Sequence, residues 1–277
     1  MKVYLPGRHF PSISVTGTGC ALDCAHCGAA YLRHMLPAPE PGGFHDFLAS
    51  LKRKGAGGFL LSGGCDDEGR VPLGPYLPGV RKAKDTLGLR ANVHVGLLDE
   101  GMMPALVSAG PDAISVDIIG DEKVISDVYG LDADPADYAR AIETLLGDGL
   151  RVVPHITIGL NASRPSGEEE AIGLLEGLGV PALIFNVLVP TKGTRFEGAP
   201  AVGNGRVLEM MSLARRRLPG TEIMLGCMRP KGNVGLEVEA LRGAVDGIVN
   251  PSRAALQRCG ARHETVEACC AIPSRSA

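Results

Sequence analysis

Short apolar runs rich in β-branched residues recur along the chain, and amphipathic segments or loops separate them. The runs that predict strands are 12–16, 59–62, 91–95, 113–117, 151–158, 182–189, 222–225 and a weaker one at 247–249. Continuous apolar runs of this length are typical of strands that are buried on both faces of a parallel sheet. Between them, segments such as Pro135–Leu146 and Arg206–Arg217 have the apolar spacing of amphipathic helices.

The alternation of strand and helix indicates the fold class. Strands that recur every ~30–40 residues with helices between them form βαβ units, which build a parallel sheet. Eight units predict an α/β protein with a parallel (βα)8 TIM-type barrel, and a six-unit partial barrel is the second possibility. Functional groups then belong on the loops after the strands. We expect a barrel domain over residues 1–258 and a cysteine-containing tail over 259–277, with polar, disordered last residues 274–277.

Composition and charge exclude several classes of protein. The 277 residues are 45% hydrophobic, which allows one large core, and their formal net charge is -3. This charge provides no basic field for a phosphate backbone, so we expect no nucleic acid partner. The chain has neither a run of about 18 apolar residues nor a charged leader followed by an apolar stretch. We therefore expect a cytoplasmic protein that does not enter the membrane.

Three of the eight cysteines lie close together. Cys20, Cys24 and Cys27 form a CxxxCxxC motif on the loop after the first predicted strand. Because the cytosol keeps thiols reduced, such a cluster is more often metal-binding or catalytic than disulfide-bonded. A cubane has four irons, so three thiolates leave one iron free for a chelating substrate. Structural zinc would need a fourth ligand, and His26 is badly placed between two of the cysteines to supply one.

The motif and its position resemble the radical S-adenosylmethionine (SAM) superfamily. The resemblance implies that Cys20, Cys24 and Cys27 are the catalytic cysteines, which hold a [4Fe–4S] cluster with an open iron for SAM. It also implies reductive cleavage of SAM to a 5′-deoxyadenosyl radical, with ferredoxin or flavodoxin as electron donor. His26 occupies the place of an aromatic residue near the adenine in that family.

A glycine pair after the second predicted strand also resembles that superfamily. Gly63 and Gly64 match a glycine-rich segment that binds the methionine amine of SAM, and Cys65 stands where the family usually has an acidic residue. Two glycines expose backbone groups to a ligand without a Cβ in the way. Without the family context, the same pair would be read as a turn.

Later strand ends resemble the biotin synthase and lipoyl synthase branch. The resemblance implies that Ser115 and Asp117 lie on the segment that faces the SAM ribose, and that Thr157 lies next to SAM. The segment from Asn186 to Val189 is expected to lie against the adenine, with the asparagine facing the substrate. Arg229 is expected either to ligate a sulfur-donating cluster or to bind the carboxylate of SAM or substrate. In any barrel, however, Asn, Asp and Gly at strand ends can also serve turns.

Sulfur insertion by that branch requires a second iron–sulfur cluster. Where biotin synthase has further cluster cysteines, on its third and fifth strands, this chain has His94 and His155, and the amino-terminal cysteine triad of lipoyl synthase is absent as well. We expect a replacement site of three or four thiolates, with the tail folded over the mouth of the barrel. Its candidate ligands are Cys65, Cys227, Cys269 and Cys270. Free cysteines also behave as small buried hydrophobes, which is the interpretation we prefer for Cys259.

Relocated cysteines on a biotin-synthase-like barrel resemble the two-protein lipoyl synthases. In these, two radical SAM proteins jointly insert two sulfurs into a protein-bound octanoyl chain. The resemblance implies a second radical SAM subunit and an octanoylated carrier protein as partners. Two other functions stay open at this point. One is a radical SAM enzyme without sulfur transfer, such as a mutase or a cofactor-building enzyme, and the other is a non-catalytic metal- or redox-sensing protein.

Overall fold

Eleven strands form one sheet in the described part of the computed structural model, residues 1–260 and 262–273. In chain order the strands are β1 (Lys2–Tyr4), β2 (Ser12–Ser14), β3 (Leu36–Pro37), β4 (Gly58–Ser62), β5 (Arg90–His94), β6 (Ala113–Asp117), β7 (Val152–Ile158), β8 (Ala182–Val187), β9 (Glu222–Leu225), β10 (Gly247–Val249) and β11 (Glu264–Val266). Across the sheet they follow the order β11-β1-β10-β9-β8-β7-β6-β5-β4-β2-β3, and all pairings are parallel. The eight predicted strands are confirmed as β2 and β4 to β10.

The sheet curls but stays open, so the protein has the partial form of the barrel rather than the preferred closed one. Closure would require β2 to pair with β10. Within the described residues, β2 pairs with β3 and β4, while β10 pairs with β9 and β1. The hydrophobic pattern does not predict the short strands β1 and β3. They bind the backbone N–H and C=O groups of β10 and β2 that would otherwise pair with each other to close the barrel.

Helices connect successive strands. In chain order they are α1 (Phe44–Arg53), α2 (Leu77–Leu87), α3 (Met103–Ala109), α4 (Glu122–Val124), α5 (Pro135–Gly147), α6 (Glu168–Leu174), α7 (Asn204–Arg217), α8 (Val234–Glu239) and α9 (Arg253–Cys259). α5 and α7 confirm the two predicted helices. α5 begins where Asp134 and Asp137 form a reciprocal capping box, with Pro135 in the first turn. None of the described helices has the length and hydropathy that crossing a membrane requires.

The tail fills the concave side of the sheet. After β11, the residues Cys270, Ala271 and Ile272 are 7%, 0% and 1% exposed, in a cluster with inward-facing Ala113 and Ala182. Both alanines begin their strands, and their small side chains leave room for this plug. The expectation that the tail folds over the mouth is therefore corrected, because its apolar residues pack at the amino-terminal end of the barrel. The expected disorder of residues 274–277 concerns residues outside the described ones.

Candidate active site

A largely apolar cavity of about 330 Å³ opens at the carboxyl ends of the strands. Most of the predicted site residues line it, namely Cys20, Cys24, His26, Cys27, Gly63, Gly64, Cys65, Asp117, Thr157, Asn186 and Val189. The other predicted residues, Ser115, Cys227, Arg229, Cys269 and Cys270, are not part of this lining. The topology therefore brings together the loops after β2, β4, β6, β7 and β8, as parallel strands with a common edge require.

The loop that carries the three cysteines is fastened to its neighbours by backbone hydrogen bonds. The Ala25 N–H donates to the Val128 carbonyl at 2.8 Å. The Arg195 guanidinium donates to the carbonyl of Asp23 at 3.2 Å and to that of Asp127 at 3.3 Å, so it joins the cysteine loop to the segment after β6. These bonds fix the loop without using the cysteine side chains.

Two of the motif cysteines and the histidine between them form a compact donor set. The ligand atoms of Cys24, His26 and Cys27 lie within 4.8 Å of one another. A hydrogen bond between Cys24 and Cys27 lowers the pKa of Cys27, and the same bond together with burial raises the pKa of Cys24. The pair therefore loses its first proton readily, and thiolate is the form that ligates iron.

Gly64 packs directly against the cysteine loop. A Cβ at this position would lie 2.0 Å from the Gly19 carbonyl oxygen and 2.6 Å from the Cys20 Cβ, so only glycine fits. The Gly64 N–H donates to Thr16 Oγ1 at 2.7 Å, and this hydroxyl donates to the Gly19 carbonyl at 2.8 Å. Gly64 therefore sets the distance between the two loops, and its contact with SAM stays a prediction.

Cys65 lies beside the first cysteine of the motif. Its backbone N–H points to Cys20 Sγ at 3.3 Å, and its carbonyl accepts from the Ala21 N–H at 2.8 Å. Burial, with a further contribution from Cys20, raises the pKa of the Cys65 thiol to about 12. The structure thus groups Cys65 with the motif.

Aromatic side chains that the sequence analysis missed form much of the cavity wall. Tyr31, Tyr129 and Tyr138 all line it. The His26 ring contacts the Tyr129 ring with centroids 5.1 Å apart, and the Tyr31 hydroxyl lies 3.0 Å from Thr191 Oγ1. None of the three tyrosines follows a strand end, which is the signal that the sequence analysis used.

Two histidines and an aspartate form a polar group at the carboxyl ends of β5 and β6 and in the middle of β7. His94 Nε2 lies 3.8 Å from Asp117 Oδ1, and the rings of His94 and His155 are 5.7 Å apart. Burial alone would lower the pKa of His94, but the Asp117 carboxylate reverses the direction and raises it. Burial also opposes ionisation of Asp117, whose pKa is nevertheless lowered by His94. Burial and repulsion by His94 lower the pKa of His155 to about 4.

Ser115 lies in a layer beneath the cavity, where the tail meets the sheet. Its side chain is 1% exposed and exchanges hydrogen bonds with Asn92 at 2.9 and 3.1 Å. The Asn92 amide also donates to Cys269 Sγ at 3.4 Å. A hydrogen bond from Cys270 lowers the pKa of Cys269 to about 7, and the same bond raises the pKa of Cys270. Ser115 therefore reaches the tail only through Asn92 and lies outside the cavity lining.

Cys227 belongs with the tail cysteines. Its side chain is exposed, and desolvation together with the charge of Cys269 raises the pKa of its thiol. The charge of Cys227 also contributes to the raised pKa of Cys270. The four cysteines expected to share one site are therefore divided. Cys65 lies beside Cys20, whereas Cys269 and Cys270 are adjacent on the tail, and Cys227 interacts with them electrostatically.

The structure places Arg229 away from the cavity. Its side chain is 4% exposed and pairs with the equally buried Glu237 at 2.8 Å. The same guanidinium donates to the carbonyls of Gly226 at 2.5 Å and Val249 at 2.7 Å. Arg229 thus joins β9 to β10. Its guanidinium is occupied by these buried partners and does not point to the place expected for SAM or for a cluster.

The chain matches no family model, but it is similar to two biotin synthases. It is 25% identical to that of Rhodopseudomonas palustris (strain BisB18) over 229 residues, which are 78% of this chain and 62% of that protein. It is 23% identical to that of Synechococcus sp. (strain CC9311) over 265 residues, with coverages of 88% and 76%. The first match thus spans less than two thirds of the relative's length.

Solved structures share the fold at low sequence identity. HydG, a maturase of the [FeFe]-hydrogenase, has a TM-score of 0.64 at 14% identity, over 89% of this chain and 56% of that one. Methylornithine synthase (PylB) also has a TM-score of 0.64, at 17% identity, over 93% and 79% of the two chains. SuiB of Streptococcus suis, in a structure with bound S-adenosylmethionine, has a TM-score of 0.55 at 11% identity, over 88% and 51%. The partial barrel is the feature common to this chain and these enzymes.

Proposed function

We propose that the chain is a radical SAM enzyme of the biotin synthase-like branch. In this proposal it is a lipoyl synthase subunit, which cleaves SAM and inserts sulfur into a protein-bound octanoyl chain. The observation that carries the proposal is the presence of two separate cysteine groups. Cys20, Cys24 and Cys27 line the cavity, while Cys227, Cys269 and Cys270 lie outside its lining and influence one another electrostatically. The first group serves SAM, and the second holds the sulfur source.

The residues on the cavity wall fit a [4Fe–4S] cluster and SAM. Three thiols on one fastened loop match the three-cysteine ligation that leaves an iron open. When bound, the cluster supplies the electron that cleaves SAM. The Asp117 carboxylate accepts hydrogen bonds from the ribose hydroxyls. His26 and Tyr129 provide a ring surface for the adenine, and Asn186 faces the substrate. Asn186 lines the cavity, which supports a ligand contact of this residue.

Cys227, Cys269 and Cys270 would hold a second iron–sulfur cluster, which would supply the sulfur. The Cys269 thiol is held by the Asn92 amide at 3.4 Å, and the tail that carries it is anchored where Arg151 Nε donates to the Ala271 carbonyl at 3.3 Å. Adjacent cysteines rarely ligate one iron together, so Cys227 and Cys269 are the principal ligands. The partners in the reaction are an electron donor such as ferredoxin or flavodoxin, a second radical SAM subunit and the octanoylated carrier.

Iron and sulfide analysis tests the second cluster directly. A Cys20→Ala, Cys24→Ala, Cys27→Ala triple variant, reconstituted without oxygen, should retain iron and acid-labile sulfide. Adding Cys227→Ser and Cys269→Ser should remove both, whereas adding the control Cys259→Ser should not. Complete loss of iron in the triple variant would leave the sulfur without a donor, and a radical SAM enzyme without sulfur transfer would then replace this proposal.

Activity tests the remaining part. Wild-type protein with SAM, a reductant, an octanoylated carrier peptide and the partner subunit should produce 5′-deoxyadenosine and a peptide whose mass has increased by sulfur. Formation of 5′-deoxyadenosine without a sulfur-containing peptide would retain SAM cleavage and reject the substrate. If the reduced protein never cleaves SAM, a metal- or redox-sensing role is the better interpretation.

A further inference from the structure

The group of His94, Asp117 and His155 is used by no part of the proposed sulfur chemistry except the contact of Asp117 with SAM. These residues stand on three consecutive strands of the sheet, β5, β6 and β7, with Asp117 and His155 directly paired in register. His94 lies closer to the amino-terminal end of the sheet, because its register partner is Ser115, two residues before Asp117. The side chains therefore project together into the concave side, at and beneath the cavity.

The distances within this group suit a single ion. One ligand atom from each of the three residues lies within 4.8 Å of the other two. Donor atoms about 2 Å from one tetrahedral metal lie roughly 3.3 Å apart. The separations of up to 4.8 Å in this group therefore close onto one ion only when the side chains rotate towards it. Two imidazoles and one carboxylate are a donor set for zinc or non-haem iron(II), and three protein ligands leave coordination positions open.

His155 supplies a second observation. Its Nδ1 atom is buried and has no hydrogen-bond partner within the described residues. A buried polar atom without a partner costs about 1–3 kcal/mol, so proteins seldom keep one without a reason. The His94–Asp117 ion pair explains two members of the group but gives no role to this nitrogen.

We propose that His94, Asp117 and His155 bind one divalent transition-metal ion, zinc or iron(II), on the floor of the cavity. His94 and Asp117 line the cavity, so the open positions of the ion face its interior. They would take an oxygen or sulfur atom of the substrate and orient it. Asp117 offers Oδ1, the atom that faces His94, and keeps its other oxygen for SAM. The site needs no cysteine, so it stands or falls independently of both iron–sulfur clusters.

The test uses Co²⁺ as a spectroscopic probe on the full-length Cys20→Ala, Cys24→Ala, Cys27→Ala variant, without added iron or sulfide. We expect one Co²⁺ per chain, with weak visible bands of nitrogen and oxygen ligation. Adding His94→Gln, His155→Gln or Asp117→Asn should weaken binding by at least ~10-fold, since even the loss of a residue that only orients a ligand has an effect of this size. His45→Gln is the matched control, because His45 also contacts an aspartate, Asp46 at 3.5 Å, but on helix α1.

Each outcome decides the proposal. Stoichiometric binding that is lost in the His94, His155 and Asp117 variants, but kept in the His45 variant, supports it. An intense thiolate-to-cobalt band that the histidine changes leave unaltered would place the ion on Cys227, Cys269 and Cys270, and would overturn it. Absence of Co²⁺ binding would overturn it equally. Thermal unfolding of each variant ensures that lost binding is compared among folded proteins, and His155→Ala provides a second change if His155→Gln unfolds.

Discussion

The substitution Gly64→Ala tests whether the contact between the two loops positions the cysteine motif. The new methyl group would lie 2.0 Å from the Gly19 carbonyl oxygen, 2.6 Å from the Cys20 Cβ and 2.7 Å from the Cys20 Cα. Two of these three atoms are backbone, so no side-chain rotation relieves the overlap. To open the shortest contact from 2.0 Å to 3.0 Å, the loops must separate by about 1 Å.

Two effects of this separation are measurable. Overpacking of this kind costs about 1–3 kcal/mol, which lowers the melting temperature by several degrees. A displacement of ~1 Å in a reacting group can reduce the rate about 100-fold, so SAM cleavage should fall far more than stability. Iron content, melting temperature and 5′-deoxyadenosine formation are to be measured on the same anaerobic preparation.

Gly205→Ala is the matched control, because Gly205 lies in α7 with no atom within 4 Å of its added Cβ. This change should leave SAM cleavage unaltered and raise the free energy of unfolding by up to about 1 kcal/mol. If Gly64→Ala kept the wild-type iron content, cleavage rate and melting temperature, the contact with Cys20 would not position the motif, and the reasoning would be refuted.

Three other predictions follow from buried groups and are checked by urea unfolding. Arg229→Ala should lower the free energy of unfolding by about 3–5 kcal/mol, because it leaves Glu237 buried and unpaired; the Kd for SAM, measured by calorimetry, should not change, and a large change would put Arg229 back at the cofactor. Burial opposes ionisation of Glu168, but hydrogen bonds from Ser166 lower the pKa of its carboxyl group. The ionised carboxylate therefore stabilises the fold at any pH above the unfolded pKa of about 4.3. This stabilisation is lost as the pH falls through the lower pKa of the folded state. Glu168→Gln should therefore flatten the acid limb of the stability profile, and an unchanged limb would contradict this assignment. Ile272→Ala should cost about 2–5 kcal/mol, because Ile272 is 1% exposed inside the sheet; a loss below about 0.5 kcal/mol would show that the tail does not hold the interior together.

The hydrophobic pattern predicted all eight central strands, because buried parallel strands are continuous apolar runs. It did not predict β1 or β11, which are three residues long, or β3, which has two. β2 and β10 are equally short, but they fall within the repeat of strand and helix, whereas β1, β3 and β11 lie outside it. Whether the sheet closes was decided by β1 and β3, so this property was not accessible from the pattern.

The site was predictable where function follows a strand end. Cys20, Cys24 and Cys27 could be found by spacing alone, and Asp117 and Asn186 by their position after a strand. Arg229 could not be placed, because its buried partners come from β10 and α8 and no local pattern predicts them. His94 and His155 were noted only as replacements for cysteines, since the sequence does not tell which strands lie next to each other in space.

The tail plug has a consequence for biosynthesis. The ribosome translates residues 264–272 after strands β1 to β10. A domain generally folds as one unit. Until Ile272 has been translated, the interior cluster around Ala113 and Ala182 lacks three of its members, Cys270, Ala271 and Ile272. The core of the sheet can therefore be completed only when translation has reached the last residues that the structure describes.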